Sequence, residues 1–205
     1  MNFGFTEEQN LLRDQVTRFM TEACPMSKVR DLTASNACFD ATLWQQMADL
    51  GWLGLITPEA YGGLGLKWID QIIVLEETAA GLCPLPVTSQ ALTVTAILTC
   101  GSEAQKQRWL PQLAAGSMIG ALGLYDEANW IAPEAIQVTG EHSADQITLN
   151  GSKPFVNDAA AATHLLLAVQ SNTGLGLAMI PTEAVRISAQ PTMDLTKPMA
   201  KKKKK

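Results

Sequence analysis

Few side chains in this sequence have the types and spacing that chemistry requires. Glu76 and Glu77 are paired carboxylates of the kind acid–base catalysis uses. Adjacent residues on a helix, however, point about 100° apart and do not converge on one substrate atom. His142 and His164 are lone histidines without a partner at metal-ligand spacing, which favours surface or structural roles. Spacing alone therefore predicts neither a catalytic residue nor a metal site.

The four cysteines form neither a Cys-x-x-Cys pair nor a spacing typical of a disulfide framework. They are Cys24, Cys38, Cys83 and Cys100. Together with the lack of a signal peptide pattern, this favours reduced, mostly buried thiols and a cytoplasmic location. No apolar run reaches about 18 residues, so no membrane span is expected.

Charge is distributed unevenly along the 205 residues, which carry a formal net charge of −5. Five of the 15 basic residues form the run Lys201–Lys205, and the rest of the chain is strongly acidic. An acidic body has no electrostatic footprint for nucleic acid. The lysine run could be a polybasic anchor for lipid or nucleic acid, but a solvated, disordered tail or a cloning or frameshift scar is favoured.

The first part of the chain has helical patterning. Thr6 and Gln9 have capping-box spacing, Phe5 is placed as a hydrophobic staple, and Ser102 is placed as a cap. Apolar residues recur at helical spacing in five segments up to residue 116, with a loop or short helix over 27–36. The prediction is an all-α domain over 1–116.

Between the second and third of these helices lies an apolar loop. Gly51 can end a helix with positive φ, and the run Trp52–Ile56 must then be buried. Pro58 prevents a continuing regular element, and three glycines let the backbone turn tightly. Those glycines are Gly62, Gly63 and Gly65.

After Ser117 the pattern changes to short apolar segments typical of strands. They cover 118–122, 135–139, 146–149, 165–169, 175–180 and 185–189, with a hairpin predicted at Asn150-Gly151 and a turn at Ser171–Gly174. The fold class predicted is α+β: the helical domain, then a small antiparallel β-barrel or sandwich over 117–200. Residues 201–205 are expected to be disordered.

Three segments, in order, closely resemble acyl-CoA dehydrogenases. They are Leu50–Leu66 with Val74–Glu77 after it, Gly101–Gly116, and Leu149–Ala159, with weaker similarity from Phe3 to Ala200. The resemblance implies a helical domain, a middle β domain and a C-terminal helical bundle, with FAD in the cleft between them. Members of this family oxidise an acyl-CoA thioester: a carboxylate removes the α proton and the β hydride passes to flavin N5.

The resemblance implies flavin contacts at the end of the first β segment. Ala121 and Leu122 match the family, whereas Gly123, Leu124 and Tyr125 replace its threonine, glutamate and proline. Backbone contacts from Leu122 and Gly123 are therefore expected, and a hydroxyl contact is not.

A second flavin segment is implied where the family has Lys-x-Trp-Ile-Thr or Ser. This chain has Lys153-Pro154 and then Phe155, Val156 and Asn157. Phe155 can still present a ring to the flavin, and Asn157 can donate a hydrogen bond near N5. Alternatively, Phe155 belongs to the β-domain core and Asn157 to a turn.

The resemblance also places the acyl pocket between the third and fourth helices. Candidate lining residues are Pro86, Ser89, Leu92, Thr93 and Ala96, which plain helix packing explains equally well. The C-terminal bundle, which carries the catalytic glutamate in most family members, is expected to be absent. No carboxylate of this chain is assigned as the base.

Two functions follow as hypotheses. One is a truncated FAD-dependent acyl-CoA dehydrogenase, inactive alone, with an acyl-CoA substrate, an electron-transfer acceptor and a homo- or hetero-oligomeric state. The alternative is a non-catalytic structural subunit that pairs with an active, FAD-bearing dehydrogenase subunit. A helical binding module unrelated to flavin would require the three ordered segments to match by chance.

Overall fold

A computed structural model describes residues 4–35, 39–126, 133–143 and 146–204. The chain divides into two compact units, Met1–Ser117 and Met118–Lys205. The first is helical and the second is built of strands. This confirms the α+β class. Cys38, the centre of the loop after Asp126 and Lys205 lie outside the described residues.

In the described residues of the first unit there are six helices. They are α1 (Glu7–Ala23), α2 (Met26–Ala34), α3 (Ala41–Asp49), α4 (Trp68–Ala80), α5 (Val87–Cys100) and α6 (Glu103–Ala114), with 3₁₀ turns at Trp52–Gly54 and Glu59–Tyr61. The segment left open as loop or short helix is therefore helical over Met26–Ala34. Within the described ranges, no helix has the length and apolar character needed to span a bilayer.

The predicted caps are confirmed at two helix starts. Thr6 Oγ1 accepts a hydrogen bond from the Gln9 amide at 3.2 Å, and Gln9 Oε1 accepts one from the Thr6 amide at 3.1 Å. Ser102 and Gln105 repeat this exchange at α6. Each box satisfies two amides that the first helical turn leaves without partners.

The apolar loop packs as its sequence indicates. Gly51 has φ 77°, and Trp52–Ile56 are all buried. Gly63 lies so close to the turn before it that an added Cβ would collide with the Thr57 carbonyl oxygen and come within 2.6 Å of the Gly54 oxygen. The loop can therefore close only with glycine at this position.

Eight strands form two sheets in the part of the second unit that the structure describes. They are β1 (Gly120–Gly123), β2 (Thr139–Ser143), β3 (Gln146–Asn150), β4 (Ser152–Asn157), β5 (His164–Ser171), β6 (Gly174–Pro181), β7 (Val185–Gln190) and β8 (Met199–Lys204). One sheet has the order β1-β5-β2-β3 with β6 also on β5, and the other has the order β4-β8-β7.

These sheets differ from the purely antiparallel barrel or sandwich that the sequence predicted. β1 pairs with β5 in parallel, because the chain between them crosses over through the other sheet instead of turning back directly. In the described part of the chain the strands form two separate sheets without closure into a barrel. The predicted turn between 171 and 174 is confirmed, since β5 and β6 pair antiparallel from Ser171↔Gly174.

The hairpin predicted at Asn150-Gly151 was wrong. β3 pairs with β2 and β4 pairs with β8, so this dipeptide carries the chain from one sheet to the other. Gly151 has φ 127°, and a Cβ there would lie 2.9 Å from Val138 Cγ2, which explains why glycine occupies the crossing. The strand expected over 135–139 was also misplaced, since β2 begins only at Thr139.

The lysine run differs from the expected disordered tail. Lys201–Lys204 belong to β8, which lies between β4 and β7 and pairs with both. The ladder uses only backbone N–H and C=O groups, so the composition that suggested a solvated tail does not prevent pairing. Ala200, which directly precedes the lysines in β8, is buried.

A charged pair lies in the interior of the strand unit. The Lys153 side chain is 0% exposed, and its Nζ lies 2.6 Å from Asp126 Oδ1 and donates to the Leu124 carbonyl at 3.2 Å. Asp126 Oδ2 accepts hydrogen bonds from the amides of Gln137 and Val138. Burial lowers the pKa of Lys153 from its usual value, and the hydrogen bond to Asp126 opposes that shift.

Replacing Gly63 by alanine should destabilise the helical unit. The new Cβ overlaps backbone atoms that cannot rotate away, so we expect a loss of about 2–3 kcal/mol in the free energy of unfolding. Gly62→Ala is the matched control: no atom lies within 4 Å of its Cβ, and only its φ of 80° costs about 1 kcal/mol. Chemical denaturation of both variants measures the difference, and equal losses would contradict the close approach at Gly63.

Lys153→Met should destabilise the strand unit, because it leaves Asp126 as a buried charge without its cation. We expect a loss of about 3–5 kcal/mol. Arg186→Met, an exposed site on β7, should change stability by at most about 0.5 kcal/mol. Urea unfolding followed by circular dichroism compares the two, and a small loss in both would show that the pair is dispensable.

Candidate functional site

β4 carries one residue more than the strand it pairs with. Its register with β8 runs from Lys153↔Lys202 to Val156↔Ala200, so three steps on β4 match two on β8. This is a β-bulge, a feature that re-aims side chains. Lys153 and Val156 both point inwards as a result, while Phe155 between them is 41% exposed.

The bulge puts Phe155 in an unusual backbone conformation. Its φ is 55°, and the Phe155 amide donates to Gln190 Oε1 at 2.8 Å. Asp158 has φ 56°, and its amide donates to the Pro198 carbonyl at 3.0 Å. Positive φ in residues other than glycine costs free energy, and such residues are concentrated at functional sites.

The structure bears on the alternative that Phe155 belongs to the β core and Asn157 to a turn. Phe155 is not part of the β core, because its ring reaches the surface. Asn157 is not a turn residue but the last residue of β4, with an exposed side chain. An apolar ring and an amide thus lie two residues apart on the outside of the strand, with Val156 buried between them.

The end of β1 packs directly against the bulge. Gly123 is buried, and a Cβ there would lie 2.7 Å from Leu167 Cδ2 and 3.2 Å from Val156 Cγ2. Leu122 beside it is half-buried. The structure therefore places Gly123 against Val156, and the other residues predicted for the flavin, Leu122, Phe155 and Asn157, are their neighbours along the chain.

The sequence interpretation missed what holds these two segments together. Lys153 and Asp126 connect the start of β4 to the residues that follow β1, through the ion pair and the Leu124 carbonyl. Gln190 on β7 fixes the backbone of Phe155. The spacing of Lys153 and Val156 was a weak signal for the bulge. Residues three positions apart on a regular strand lie on opposite faces, so both can point inwards only if a bulge lies between them.

The predicted acyl-pocket residues share one face of α5, at spacings of three and four. Ser89 and Thr93 are buried, Ala96 is half-buried and Leu92 is exposed. The Thr93 hydroxyl donates to the Ser89 carbonyl at 2.8 Å and is therefore used within the helix. Pro86 is buried at the start of α5. The helix thus offers Leu92 as its exposed apolar contact.

The paired carboxylates on α4 bind groups on α1. Arg13 Nη2 lies 2.5 Å from Glu76 Oε2, Arg13 Nε lies 3.2 Å from Glu77 Oε1, and Thr17 donates to Glu77 at 2.9 Å. These contacts give Glu76 and Glu77 a structural role, because they join α4 to α1. His164 Nδ1 lies 3.1 Å from Thr163 Oγ1, and the side chain of His142 lies outside the described residues.

Comparisons with known proteins show which family the chain resembles. The family model described as "Acyl-CoA dehydrogenase, N-terminal domain" matches residues 6–117. Isovaleryl-CoA dehydrogenase, mitochondrial, of Pongo abelii is 30% identical over 182 residues, covering 87% of this chain and 42% of that protein. Glutaryl-CoA dehydrogenase of Desulfococcus multivorans is 29% identical over 182 residues, covering 86% of this chain and 46% of that protein.

Solved structures give the same result. A glutaryl-coenzyme A dehydrogenase in complex with glutaryl-CoA superposes with a TM-score of 0.87 at 26% identity, covering 100% of this chain and 55% of that one. The chain spans about half the length of the curated relatives it matches. Since the N-terminal family model alone matches more than half of the residues, the chain belongs to the acyl-CoA dehydrogenase family.

Proposed function

We propose that this chain contributes to FAD-dependent α,β-dehydrogenation of an acyl-CoA thioester. The observation that carries the proposal is the packing of the β1 end against the bulge of β4, with the Phe155 ring and the Asn157 amide exposed beside each other. The positive φ of Phe155 costs free energy, and a ligand-binding role for its exposed ring would explain why this conformation is kept.

These residues fit a flavin in kind. The Phe155 ring offers a flat apolar surface for a ring system, and the Asn157 side chain offers both a donor and an acceptor. Backbone groups of Leu122 and Gly123 remain for polar contacts, without the threonine hydroxyl that the family uses. Bound FAD would supply the hydride acceptor, and this chain's residues would orient it and shield one of its faces.

The acyl substrate is proposed for the helical unit. α5 presents the face formed by Ser89, Leu92, Thr93 and Ala96, of which Leu92 gives an exposed apolar contact for an acyl chain. No carboxylate is assigned as the base, because Glu76 and Glu77 are both paired with Arg13. An electron-transfer protein is the proposed electron acceptor.

An apolar surface on the helical unit supports the proposal that further protein covers it. Five large side chains, each 39–47% exposed, follow one another along the end of the apolar loop and the start of α4. They are Leu64, Leu66, Trp68, Ile69 and Ile72. Contiguous apolar patches of this kind mark contact surfaces, whether with more of the same protein or with another dehydrogenase subunit.

The alternative function is a structural subunit that pairs with an active, FAD-bearing dehydrogenase. The altered segment Gly123–Tyr125 favours it, because the hydroxyl that family members use at the flavin is missing. Co-expression with a dehydrogenase subunit and purification through a tag on this chain tests it. A flavin-containing partner that elutes with the chain would support this alternative, and a chain that elutes alone would contradict it.

The flavin proposal predicts that the purified chain, mixed with excess FAD and passed through gel filtration, retains the visible absorbance bands of flavin. Phe155→Ala should weaken FAD binding about threefold to tenfold, because it removes an aromatic contact. Leu175→Ala, another exposed apolar site in the strand unit, is the control and should leave affinity unchanged. A parent chain without flavin bands would contradict the proposal.

The covered-surface proposal predicts that the chain binds an apolar fluorescent dye. Ile69→Gln together with Ile72→Gln should lower the dye fluorescence without loss of stability, since both side chains are exposed. Leu11→Gln is the control, because Leu11 is an exposed leucine on α1 and is not one of these five residues. Equal dye binding by parent and double variant would contradict an apolar contact surface at α4.

A further inference from the structure

Two cysteines meet inside the helical unit. Cys24 is the residue that ends α1, and Cys83 lies in the loop between α4 and α5. The Cys83 thiol donates a hydrogen bond to Cys24, and the two residues are 1–3% exposed. Their sulfur atoms are therefore neighbours across 59 positions of sequence.

The backbone holds both thiols in place. The Cys24 amide donates to the Met20 carbonyl at 3.0 Å, and the Cys83 amide donates to the Thr78 carbonyl at 2.9 Å. Leu82, between α4 and Cys83, has φ 50°, a left-handed conformation that non-glycine residues adopt at a cost. This turn folds the chain back so that Cys83 lies beneath the end of α4.

The surroundings of Cys24 favour its thiolate. The hydrogen bond from Cys83 is the main cause that lowers the pKa of Cys24 to about 7, and Lys28 lowers it further, against burial and Asp40. Lys28 also forms an ion pair with Asp40, in which Lys28 Nζ lies 2.7 Å from Asp40 Oδ2.

A cavity of about 410 Å³ gives small molecules a route to Cys24. Its lining includes Met20 and Cys24 on the inside, with Thr17, Glu77 and the 42%-exposed Met26 towards its mouth. Glu77 is the charged residue in the lining of this cavity, and its Oε1 lies 3.2 Å from Arg13 Nε. The cavity therefore borders Cys24, and its volume falls within the range of small-molecule binding sites.

We propose that Cys24 and Cys83 form a reversible dithiol–disulfide couple that exchanges with low-molecular-weight disulfides entering this cavity. Cys24 is the attacking thiolate and Cys83 the resolving thiol. The proposal rests on the adjacent thiols and on the cavity that borders Cys24, and it is independent of the flavin and of the acyl substrate.

The exchange is balanced in atoms and electrons. The Cys24 thiolate attacks one sulfur of a small disulfide, so that a mixed disulfide forms and one small thiolate leaves. Cys83 then loses its proton and attacks Cys24 Sγ, which forms the Cys24–Cys83 bond and releases the second small thiolate. Two protein thiols are oxidised by two electrons, one small disulfide is reduced, and the two protons pass to the two released thiols.

The test uses the full chain with Cys38→Ser and Cys100→Ser, so that only Cys24 and Cys83 remain. Oxidised glutathione is the probe, and intact mass spectrometry is the readout. We expect the loss of two hydrogen atoms with no glutathione retained, reversed by a reducing agent. Two thiols that stay free, or a stable glutathione adduct on the parent, would overturn the proposal.

Two further variants in that background separate the roles of the thiols. Cys83→Ser should stop at a single glutathione adduct on Cys24, because no resolving thiol remains. Cys24→Ser should react about tenfold more slowly, since Cys83 is buried and is not among the residues that line the cavity. Equal rates in the two variants would overturn the assignment of Cys24 as the attacking group.

A second measurement stays informative if a variant is poorly stable. The pH dependence of Cys24 alkylation by iodoacetamide should have its midpoint near 7 in the parent. Cys83→Ser keeps a hydroxyl donor and should retain a midpoint close to that value, whereas Cys83→Ala removes the donor and should raise it towards about 8.5. A common midpoint near 8.5 in all three proteins would overturn the proposal.

Discussion

The strand unit depends on one buried ion pair. Lys153 has no exposed surface, and its ammonium group is compensated only because Asp126 and the Leu124 carbonyl approach it from the residues that follow β1. A lone buried charge of this kind is costly, whereas a paired and hydrogen-bonded one is tolerated and fixes a specific geometry. The pair thus imposes the distance between the end of β1 and the start of β4.

The candidate cofactor surface is largely made by backbone geometry. The bulge exposes Phe155, the glycine at 123 lets β1 approach Val156, and Gln190 holds the bulged amide. Identities at several of these positions differ from the family pattern. Side-chain substitution at such a surface alters ligand contacts while the backbone that presents them is preserved.

Local rules account for what could be predicted from the sequence. The caps at Thr6 and Ser102 and the positive φ of Gly51 depend on residues within four positions, so the helical unit followed from its pattern. The sheet crossing at Gly151 did not, because Asn-Gly is an equally good hairpin signal and the choice is made by distant partner strands. Phe155 was ambiguous for the same reason: strand periodicity alone cannot locate a bulge.

The position of β8 between β4 and β7 has a consequence for the order of folding. The helical unit has its own long-range pairs, such as Arg13 with Glu76, but it lies within Met1–Ser117 and can therefore assemble once that length has been synthesised. β4 instead waits for a partner more than 40 residues later, since Asn157 pairs with Met199. During synthesis from the N-terminus, the helices can therefore assemble while the strand that presents Phe155 still has an unpaired edge, which makes the nascent strand unit the part of the chain most exposed to misassembly.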